Sequence, residues 1–377
     1  MTIMTNPPAQ APEALLRALT AESFRRTVDR ALIHRAALGE VFLTDVVQIA
    51  DTQYVAAGQL PRSHAYYGDH AQCVVSYDPV LLLEASRQAG LAIAHRFFGV
   101  PADHKFILTK LNIRVDQPAA LRVGLRPGEL VARVRITDRR LRDGQVTGLD
   151  YHLELSELST GPIGSATIGL RFRSPHSYLE LRSRNRGDAP LPSSATFRFP
   201  LTGLPAEPAV VGRRDRRNVI VTEPTPVDGV VVAEVLLPTT HPSMFDHAQD
   251  HVPGMVLIEA ARQLAIAVIT DRYGFAPTKI QVRAITSEFV KFAELAPTTQ
   301  LIATVGAVNS TVPNSTGDAG WQTVYTQAGP LEVEQDPDRT NADRTNLPVV
   351  VEQFQNGDLV CRVTTVLSVL STVPREV

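Results

Sequence analysis

The sequence predicts an α+β protein made of two similar units, each with one long buried helix and an antiparallel sheet. Three observations predict this fold. A block at residues 63–90 is repeated at residues 240–265. Each block contains a stretch of helical length in which apolar residues occupy nearly every side, as in a buried helix. After each stretch, apolar residues alternate with polar ones, which is typical of strands with one buried face.

The repeat consists of identical residues in the same order. Its period of about 175–178 residues is the size of a domain and not of a solenoid repeat. It extends upstream to residues 41–45, which match residues 219–223. We therefore expect a duplicated domain. The identical residues are His64, Asp69, His70, Ala71, Gln72, Glu84, Ala85, Arg87 and Gln88 in the first copy, and His241, Asp246, His247, Ala248, Gln249, Glu259, Ala260, Arg262 and Gln263 in the second.

The two long helices have recognisable ends. The first is expected over residues 79–98, beginning at Asp78-Pro79 and ended by Gly99. Aspartate is a good N-cap, and proline fits the first helical turn because its missing N–H costs nothing there. The second helix is expected over residues 253–273, ended by Gly274.

Period-two alternation predicts the strands, which are bounded by turn sequences such as Asn356-Gly357. A sheet that accompanies one buried helix must wrap around it, which is the hotdog architecture. Two such units in one chain are expected to pair their sheets edge to edge as a pseudo-dimer. The predicted strands are residues 41–49, 53–60, 105–115, 129–137, 145–158 and 163–173 in the first unit, and 219–223, 230–237, 279–290, 299–308, 348–355 and 359–370 in the second.

These elements divide the chain of 377 residues into consecutive parts. Residues 1–30 are expected to form an N-terminal tail with a short docking helix over 13–30. The first hotdog domain is expected over 31–179, a linker rich in Arg, Pro and Ser over 180–217, and the second hotdog domain over 218–377. A polar insertion at 309–347 has no counterpart in the first copy.

Composition excludes several functional classes. The 37 basic and 39 acidic residues leave a net charge of −2, so we expect no nucleic acid or membrane as a partner. No apolar run reaches the roughly 18 residues of a membrane span, and the N-terminus lacks the features of a signal peptide. The two cysteines, Cys73 and Cys361, offer no disulfide framework. The sequence therefore predicts a cytoplasmic protein.

The helices carry the first candidate site residues. Glu84, Arg87 and Gln88 stand at i, i+3 and i+4 on one stripe of the first helix. Glu259, Arg262 and Gln263 repeat this stripe on the second helix. An ionisable pair on a buried helix costs several kcal/mol of desolvation unless it is compensated. The stripes are therefore candidates for a functional site, and the alternative is a structural ion pair.

The loops before the helices carry the second set. His64, His70, His241 and His247 precede the helix starts, and a neutral imidazole near a carboxylate can act as a general acid or base. The N–H groups of Gly254 and Met255 could hold an oxyanion at the start of the second helix. The first helix starts with Asp78-Pro79 instead. The second helix start is therefore better suited to chemistry.

Other chemistry is less favoured. His241, His247, His251, Asp246 and Asp250 are dense in potential metal ligands, but their spacing matches no common zinc pattern. No phosphate-binding glycine loop or dinucleotide fingerprint occurs, so neither a metal nor a cofactor is expected. The basic run 213–217 is interpreted as part of a solvated linker, with an acidic carrier protein or a phosphate as the alternative ligand.

Two sequence features resemble known families. The stretch HVPGMVLIEAARQ at 251–263 resembles the helix start of hotdog dehydratases of fatty-acid synthesis. The chain as a whole more closely resembles the A-factor biosynthesis (AfsA-like) family of actinobacteria. The residues that carry this resemblance over roughly 30–300 are His34-Arg35, Glu40 to Thr44, Pro61 to His64, the segment LLLEASRQAG and the segment DHVPGMVLIEAARQ.

The resemblance implies a tandem hotdog enzyme that makes γ-butyrolactone, butenolide or furan signalling molecules. Members are held to join a β-ketoacyl thioester to the hydroxyl of dihydroxyacetone phosphate. The donor would be acyl-CoA or an acyl carrier protein thioester, and the protein a monomer or homodimer. The family's Glu and Arg on the two helices fall on Glu84, Arg87, Glu259 and Arg262. Taken together with the residue chemistry, this predicts as catalytic residues Glu84, Glu259, His64, His70, His241, His247 and Gly254, and as substrate-binding residues Arg87, Arg262, Gln88, Gln263 and Met255.

Two other functions are compatible with the sequence. A hotdog dehydratase or thioesterase would act on the thioester alone and would have no use for a phosphate-binding arginine. A non-catalytic sensor of acyl thioesters or lactones would use the same fold for binding. Such a sensor would normally carry a DNA-binding element, and the sequence contains no helix-turn-helix pattern with a basic face.

Overall fold

The long helices begin and end within one residue of the predicted positions. A computed structural model describes residues 19–186, 189–200, 203–308, 325–326 and 346–370. In these ranges the α-helices are α1 (Pro79–Phe98), α2 (Pro175–Arg186) and α3 (Gly254–Tyr273). The Asp78 carboxylate accepts a hydrogen bond from the Val80 N–H at 2.9 Å. Glycines in the left-handed conformation follow the last turns of α1 and α3.

The strands of the described residues join almost entirely into one sheet. They are β1 (Leu43–Ala50), β2 (Gln53–Leu60), β3 (Lys105–Val115), β4 (Gly128–Arg142), β5 (Gln145–Glu157), β6 (Gly161–Arg173), β7 (Thr225–Val227), β8 (Val230–Glu234), β9 (Ile280–Phe289), β10 (Gln300–Val305), β11 (Ala307–Val308), β12 (Tyr325–Thr326), β13 (Leu347–Gln355) and β14 (Asp358–Val369). The antiparallel sheet has the order β1-β2-β4-β5-β6-β3-β9-β14-β13-β10-β8-β7, and β11 pairs with β12 separately.

The sheet has two halves with the same internal order. The spatial strand order β1-β2-β4-β5-β6-β3 in one half corresponds to the order β7-β8-β10-β13-β14-β9 in the other. The halves meet where β3 pairs with β9, through residue pairs that include Ile113 with Ile285 and Arg114 with Ala284. The two units therefore form the predicted edge-to-edge pseudo-dimer within one chain.

Each long helix is wrapped by the strands of its own half. Helix α1 contacts β1, β2, β3, β5 and β6, whereas α3 contacts β9, β10, β13 and β14. Every residue from Pro79 to Ala94 except Arg87 is buried, and so is every residue from Val256 to Ile269. One connected hydrophobic cluster includes both helices and both sheet halves. The predicted tandem hotdog fold is therefore confirmed.

Two predicted elements differ in the structure. The described part of the predicted helix 13–30 forms separate 3₁₀ turns, because the Asp29 side chain accepts the Ala31 N–H and starts a new turn. Residues 219–223 make isolated bridges and no strand. The reason is that the Ile220 N–H donates to the Gln263 side chain at 2.9 Å and so cannot bond to a neighbouring strand.

Helix α2 was not predicted and spans the expected boundary between residues 179 and 180. Its sequence lacks an apolar stripe, and contacts with the second half hold it: Arg182 donates to Glu294 at 2.8 Å. The division into domains stays a prediction. Of the insertion 309–347, only 325–326 and 346–347 lie within the described residues. No helix of the described ranges is long and apolar enough to cross a membrane.

Ser287 provides a test of the junction between the halves. Its hydroxyl accepts the Leu111 N–H at 3.0 Å and donates to the Leu111 carbonyl at 2.7 Å. We expect Ser287→Ala to destabilise the protein by about 2 kcal/mol, because both backbone groups lose their partner in a buried place. Urea unfolding measures this change.

Ser368→Ala is the matched control, since Ser368 is also buried but its hydroxyl has no hydrogen-bond partner among the described residues. We expect that variant to unfold like the wild type. Equal free energies of unfolding for the two variants would contradict the role of Ser287 at the junction.

Candidate active site

The carboxylate of Glu84 is fully buried in α1 and surrounded by donors. Arg87 donates to both of its oxygens at 2.8 Å. Arg35 lies 2.6 Å from one oxygen, and the Gln88 amide donates to it at 2.9 Å. Burial raises the pKa of Glu84, but the charges of Arg35 and Arg87 outweigh burial and lower the pKa to about 2. Glu84 is therefore an ionised, fully engaged group.

Glu259 in α3 has the same surroundings. Arg213 lies 2.6 Å from one carboxylate oxygen and Arg262 lies 2.5 Å from the other. The Gln263 amide also donates to Glu259, at 2.5 Å. Arg213 thus corresponds to Arg35 of the first copy. The repeated stripe is part of a repeated cluster of one carboxylate, two guanidinium groups and one amide.

The position of Arg213 corrects the interpretation of the basic run 213–217 as solvated. Arg213 is 2 % exposed, because the buried Glu259 requires a counter-charge. Its Nη1 also donates to the carbonyls of Tyr66 and Asp69 at 2.7 Å each. This arginine is therefore a structural bridge between the second helix and a loop of the first half. We propose that the second domain starts before Arg213 and not at residue 218.

Gln88 and Gln263, expected to bind substrate, hold the backbone. Gln88 accepts the N–H groups of Phe42 and Leu43 at 2.9 and 3.2 Å. Gln263 donates to the Asn218 carbonyl at 2.7 Å. Both side chains are fully buried. Their contacts therefore favour a structural role.

Arg87 and Arg262 differ in whether they bind a second carboxylate besides the glutamate of their own helix. Arg262 Nη1 donates to both oxygens of Asp78 at 2.7 Å, whereas Pro253 occupies the position that corresponds to Asp78 in the other copy. Arg87 accordingly uses only Nε and Nη2 toward Glu84, and its Nη1 has no hydrogen-bond partner among the described residues. One arginine is neutralised by a second carboxylate, and the other keeps a nitrogen for a ligand.

A cavity of about 730 Å³ opens beside Arg87, between the two halves. The corresponding place on the other side of the pseudo-dimer, around Asp78, contains a cavity of only about 60 Å³. The duplicated site is therefore open on one side and closed on the other. The walls of the large cavity include the apolar residues Leu91, Phe106, Leu108 and Leu170 and the polar residues His34, Arg87, Lys105 and His251.

The first turn of α3 forms part of the cavity wall. The N–H groups of Gly254 and Met255 donate no hydrogen bond within the described part of the chain, as expected for a helix start. A Cβ atom at Gly254 would lie 2.9 Å from the ring of Phe289, so a larger residue there would have to displace that ring. A helix start of this kind can hold an anion. Both residues predicted for an oxyanion site therefore lie at the open cavity.

His64 and His241 hold their own loops. Each Nδ1 accepts hydrogen bonds from two backbone N–H groups of its loop at 3.2 Å. The Nε2 atom of His64 lies 3.3 Å from Glu40, and that of His241 lies 2.8 Å from the Asn218 side chain. Neither lines the large cavity. Their geometry favours the loop-supporting role over acid–base chemistry.

His70 and His247 occupy different cavities. His70 bonds the Ser76 carbonyl at 2.8 Å and lines the small cavity. His247 lines the large one, but its ring nitrogens lie 3.3 Å from Asp246 and 2.6 Å from the Gln249 amide. Of the four predicted histidines, His247 alone reaches the large cavity. No group of three or more His, Cys, Asp or Glu within the described ranges could hold a metal ion.

Positive charge dominates the part of the cavity near His34. Burial, the largest effect, lowers the pKa of His34 to about 3, and the nearby His95 and Arg87 add to the shift. His247 and Lys105 act in the same direction. The charges of Arg87 and Lys105 favour an anion here. This end of the cavity is therefore suited to an anionic ligand.

The sequence reasoning missed two parts of this site. Arg35 and Arg213 could have been found by extending the match of residues 41–45 with 219–223 upstream, because the same spacing of 178 residues pairs Arg35 with Arg213. His251 was considered only as a metal ligand, although it lies just before the start of α3. Its Nδ1 is 2.6 Å from Asp250, and both residues line the large cavity.

The difference between the arginines predicts different effects on stability. We expect Arg262→Met to destabilise the protein by about 3–5 kcal/mol, because Asp78 is left buried without its counter-charge. Arg87→Met should cost less than half as much, since Glu84 keeps Arg35. Chemical unfolding of both variants measures this difference, and equal losses of stability would contradict it.

Comparisons with known proteins agree with this architecture. The family model described as "A-factor biosynthesis hotdog domain" matches residues 18–172 and 199–331. A 2-oxo-3-(phosphooxy)propyl 3-oxoalkanoate synthase of Streptomyces virginiae is 36% identical over 271 residues, which are 71% of this chain and 84% of the relative. A synthase of the same name from Streptomyces griseus is 30% identical over 302 residues, which are 78% of this chain and 92% of that relative.

Among solved structures, the dehydratase domain of RzxB from Pseudomonas fluorescens aligns with a TM-score of 0.43 at 9% identity, over 86% of this chain and 97% of that domain. The family match covers both halves of the duplicated fold. The family model and the two Streptomyces relatives show that the chain belongs to the A-factor biosynthesis hotdog family.

Proposed function

We propose that this chain transfers a 3-oxoacyl group from a thioester to dihydroxyacetone phosphate, in the biosynthesis of a γ-butyrolactone-type signal. The name of the relatives describes such a product: the ester of a 3-oxoalkanoic acid with a 2-oxo-3-(phosphooxy)propyl alcohol. That alcohol is dihydroxyacetone phosphate. A thioester donor supplies the acyl group in activated form, and the reaction releases a free thiol.

The free nitrogen of Arg87 carries the proposal. The arginine is oriented by two hydrogen bonds to Glu84, and it lines a cavity that Arg35 and Lys105 also line. A guanidinium group pairs strongly with a phosphate oxygen through charge-assisted hydrogen bonds. The phosphate of the acceptor would therefore bind at Arg87, close to His34 and Lys105. Arg262, which is paired with Asp78, has no such role.

The remaining surfaces of the cavity suit the acyl donor. The unpaired N–H groups at Gly254 and Met255 would hold the thioester carbonyl oxygen as it becomes an oxyanion. Leu91, Leu108 and Leu170 offer an apolar wall for the acyl chain. One cavity thus provides for phosphate, carbonyl and hydrocarbon.

The two glutamates position the arginines and are not the base in this proposal. Glu84 has a pKa of about 2 under the charges of its arginines, so it is a poor proton acceptor at neutral pH. Glu259 has no exposed surface and contacts Arg213, Arg262 and Gln263. Their buried charges fix the guanidinium groups.

Several properties of the chain stay predictions. The donor is acyl-CoA or an acyl carrier protein thioester, the protein is a monomer or homodimer, and neither nucleic acid nor membrane is a partner. A cytoplasmic location agrees with Cys73 and Cys361, which are both free thiols. The alternatives of a dehydratase, a thioesterase or a lactone sensor leave the free nitrogen of Arg87 without a purpose.

Mass spectrometry of reaction mixtures tests the function. A β-ketoacyl thioester incubated with the protein should yield a phosphorylated ester or its butenolide only when dihydroxyacetone phosphate is present. Arg87→Ala should raise the KM for dihydroxyacetone phosphate by about 10–100-fold, the loss expected for a charged hydrogen bond of about 1.5–3 kcal/mol. With unphosphorylated dihydroxyacetone, variant and wild type should react at similar rates.

Arg96→Ala is the control on the same helix, because Arg96 is half exposed and near Asp45, not at the cavity. Its KM should equal that of the wild type. Free acid or enoyl thioester formed without the phosphate compound would favour a thioesterase or dehydratase. Lactone binding without turnover would favour a sensor.

A further inference from the structure

We propose that His251 is the general base of this site and that Asp250 positions it, an inference that rests on the proposed acyl transfer. His251 lines the large cavity three residues before Gly254. Its Nδ1 lies 2.6 Å from the Asp250 carboxylate. The pair therefore stands beside the helix start that would hold the thioester carbonyl oxygen. Neither residue belongs to the sets predicted from the sequence as catalytic or substrate-binding.

The contacts of the imidazole define which nitrogen is basic. Because the ionised carboxylate of Asp250 can only accept, Nδ1 carries the proton and Nε2 has the lone pair. Nε2 has no hydrogen-bond partner among the described residues and is not enclosed by protein. The ring of Phe292 meets the imidazole edge-on at 5.0 Å. The ring is thus held on one side, and its basic nitrogen is accessible to a ligand.

Asp250 is itself held in place by residues of α2. The Tyr178 hydroxyl lies 2.9 and 2.8 Å from its two oxygens, and Arg182 lies 3.5 Å away. Burial raises the pKa of Asp250, but the hydrogen bond and charge of His251 and the other contacts lower the pKa to about 2. The carboxylate stays ionised at neutral pH and can stabilise the imidazolium that forms during the reaction.

The other histidines of the large cavity are less suited. His247 has both ring nitrogens engaged. His34 has its Nε2 at 2.9 Å from His95, and burial among cations lowers its pKa to about 3. His104 pairs with Asp103 at 3.1 Å, but that carboxylate is 68 % exposed and held by no other described residue. His251 alone combines a fixed carboxylate with an accessible nitrogen.

The repeat gives an independent observation. In the first copy, Val75-Ser76 occupies the positions of Asp250-His251, and that side is closed by the pair of Asp78 with Arg262. The dyad therefore occurs only on the side with the open cavity and the free arginine nitrogen. Because the fold is repeated and the dyad is not, the dyad is associated with the ligand site and is not required by the fold.

The step is balanced within the two substrates. The Nε2 lone pair takes the proton of the acceptor hydroxyl as its oxygen bonds to the thioester carbon, and the carbonyl electrons move to oxygen. The oxyanion, held at the start of α3, then collapses and the C–S bond breaks. The sulfur leaves with the proton from Nε2 as a thiol, which restores neutral His251.

Kinetics of ester formation test the dyad on the full chain. We expect His251→Ala to lower kcat at least about 100-fold, within the range of general-base catalysis, with little change in the KM for dihydroxyacetone phosphate. Added imidazole should restore part of kcat. Asp250→Asn should lower kcat with unchanged KM, because it supports the wrong tautomer. His104→Ala is the matched control at the same cavity and should keep wild-type kcat.

Variants whose unfolding matches the wild type decide the outcome. Kcat within threefold of wild type for His251→Ala, a loss that imidazole does not restore, or an unaffected Asp250→Asn would overturn the assignment. An active wild type in any of these cases leaves the acyl transfer intact. A wild type that makes no ester would overturn both the proposed function and the base.

Discussion

The rest of the structure depends on the cost of burying two carboxylates. Glu84 and Glu259 have no exposed surface, and each would be strongly destabilising without counter-charges. Each recruits one arginine from its own helix and one from an upstream segment, Arg35 or Arg213. Because Arg213 also bonds a loop of the first half, neutralising these charges fixes the arrangement of the two halves as well as their helices.

The duplicated cluster provides two equivalent places for a ligand, and one of them is closed. Asp78 neutralises Arg262 and caps α1 with the same carboxylate. On the other side, Pro253 stands in the position of Asp78. Arg87 therefore keeps a free nitrogen there, and the start of α3 keeps free N–H groups. The closed side strengthens the fold, and the open side combines groups from both halves. A single hotdog unit would contain only part of this site.

The sequence predicted the local features and missed those that depend on tertiary partners. Caps and apolar periodicity located α1 and α3 to within one residue, and the repeat predicted the pseudo-dimer. The Glu, Arg and Gln stripes stand out in the sequence as polar groups on buried helices, yet nothing local distinguishes Arg87 from Arg262. Their difference arises from Asp78, which is distant in sequence. Arg213 lies in a basic run that predicts a solvated side chain, although the side chain is buried. The pairing of Asp250 with His251 becomes a candidate catalytic feature only when Tyr178 and the cavity are seen beside it.

The central claim is that the duplicated fold keeps one open site per chain. Equilibrium dialysis with radiolabelled dihydroxyacetone phosphate measures the number of molecules bound at saturation. One molecule per chain is predicted, because the pair of Asp78 with Arg262 leaves a cavity of only about 60 Å³ on the other side. Two equivalent molecules per chain would contradict the account.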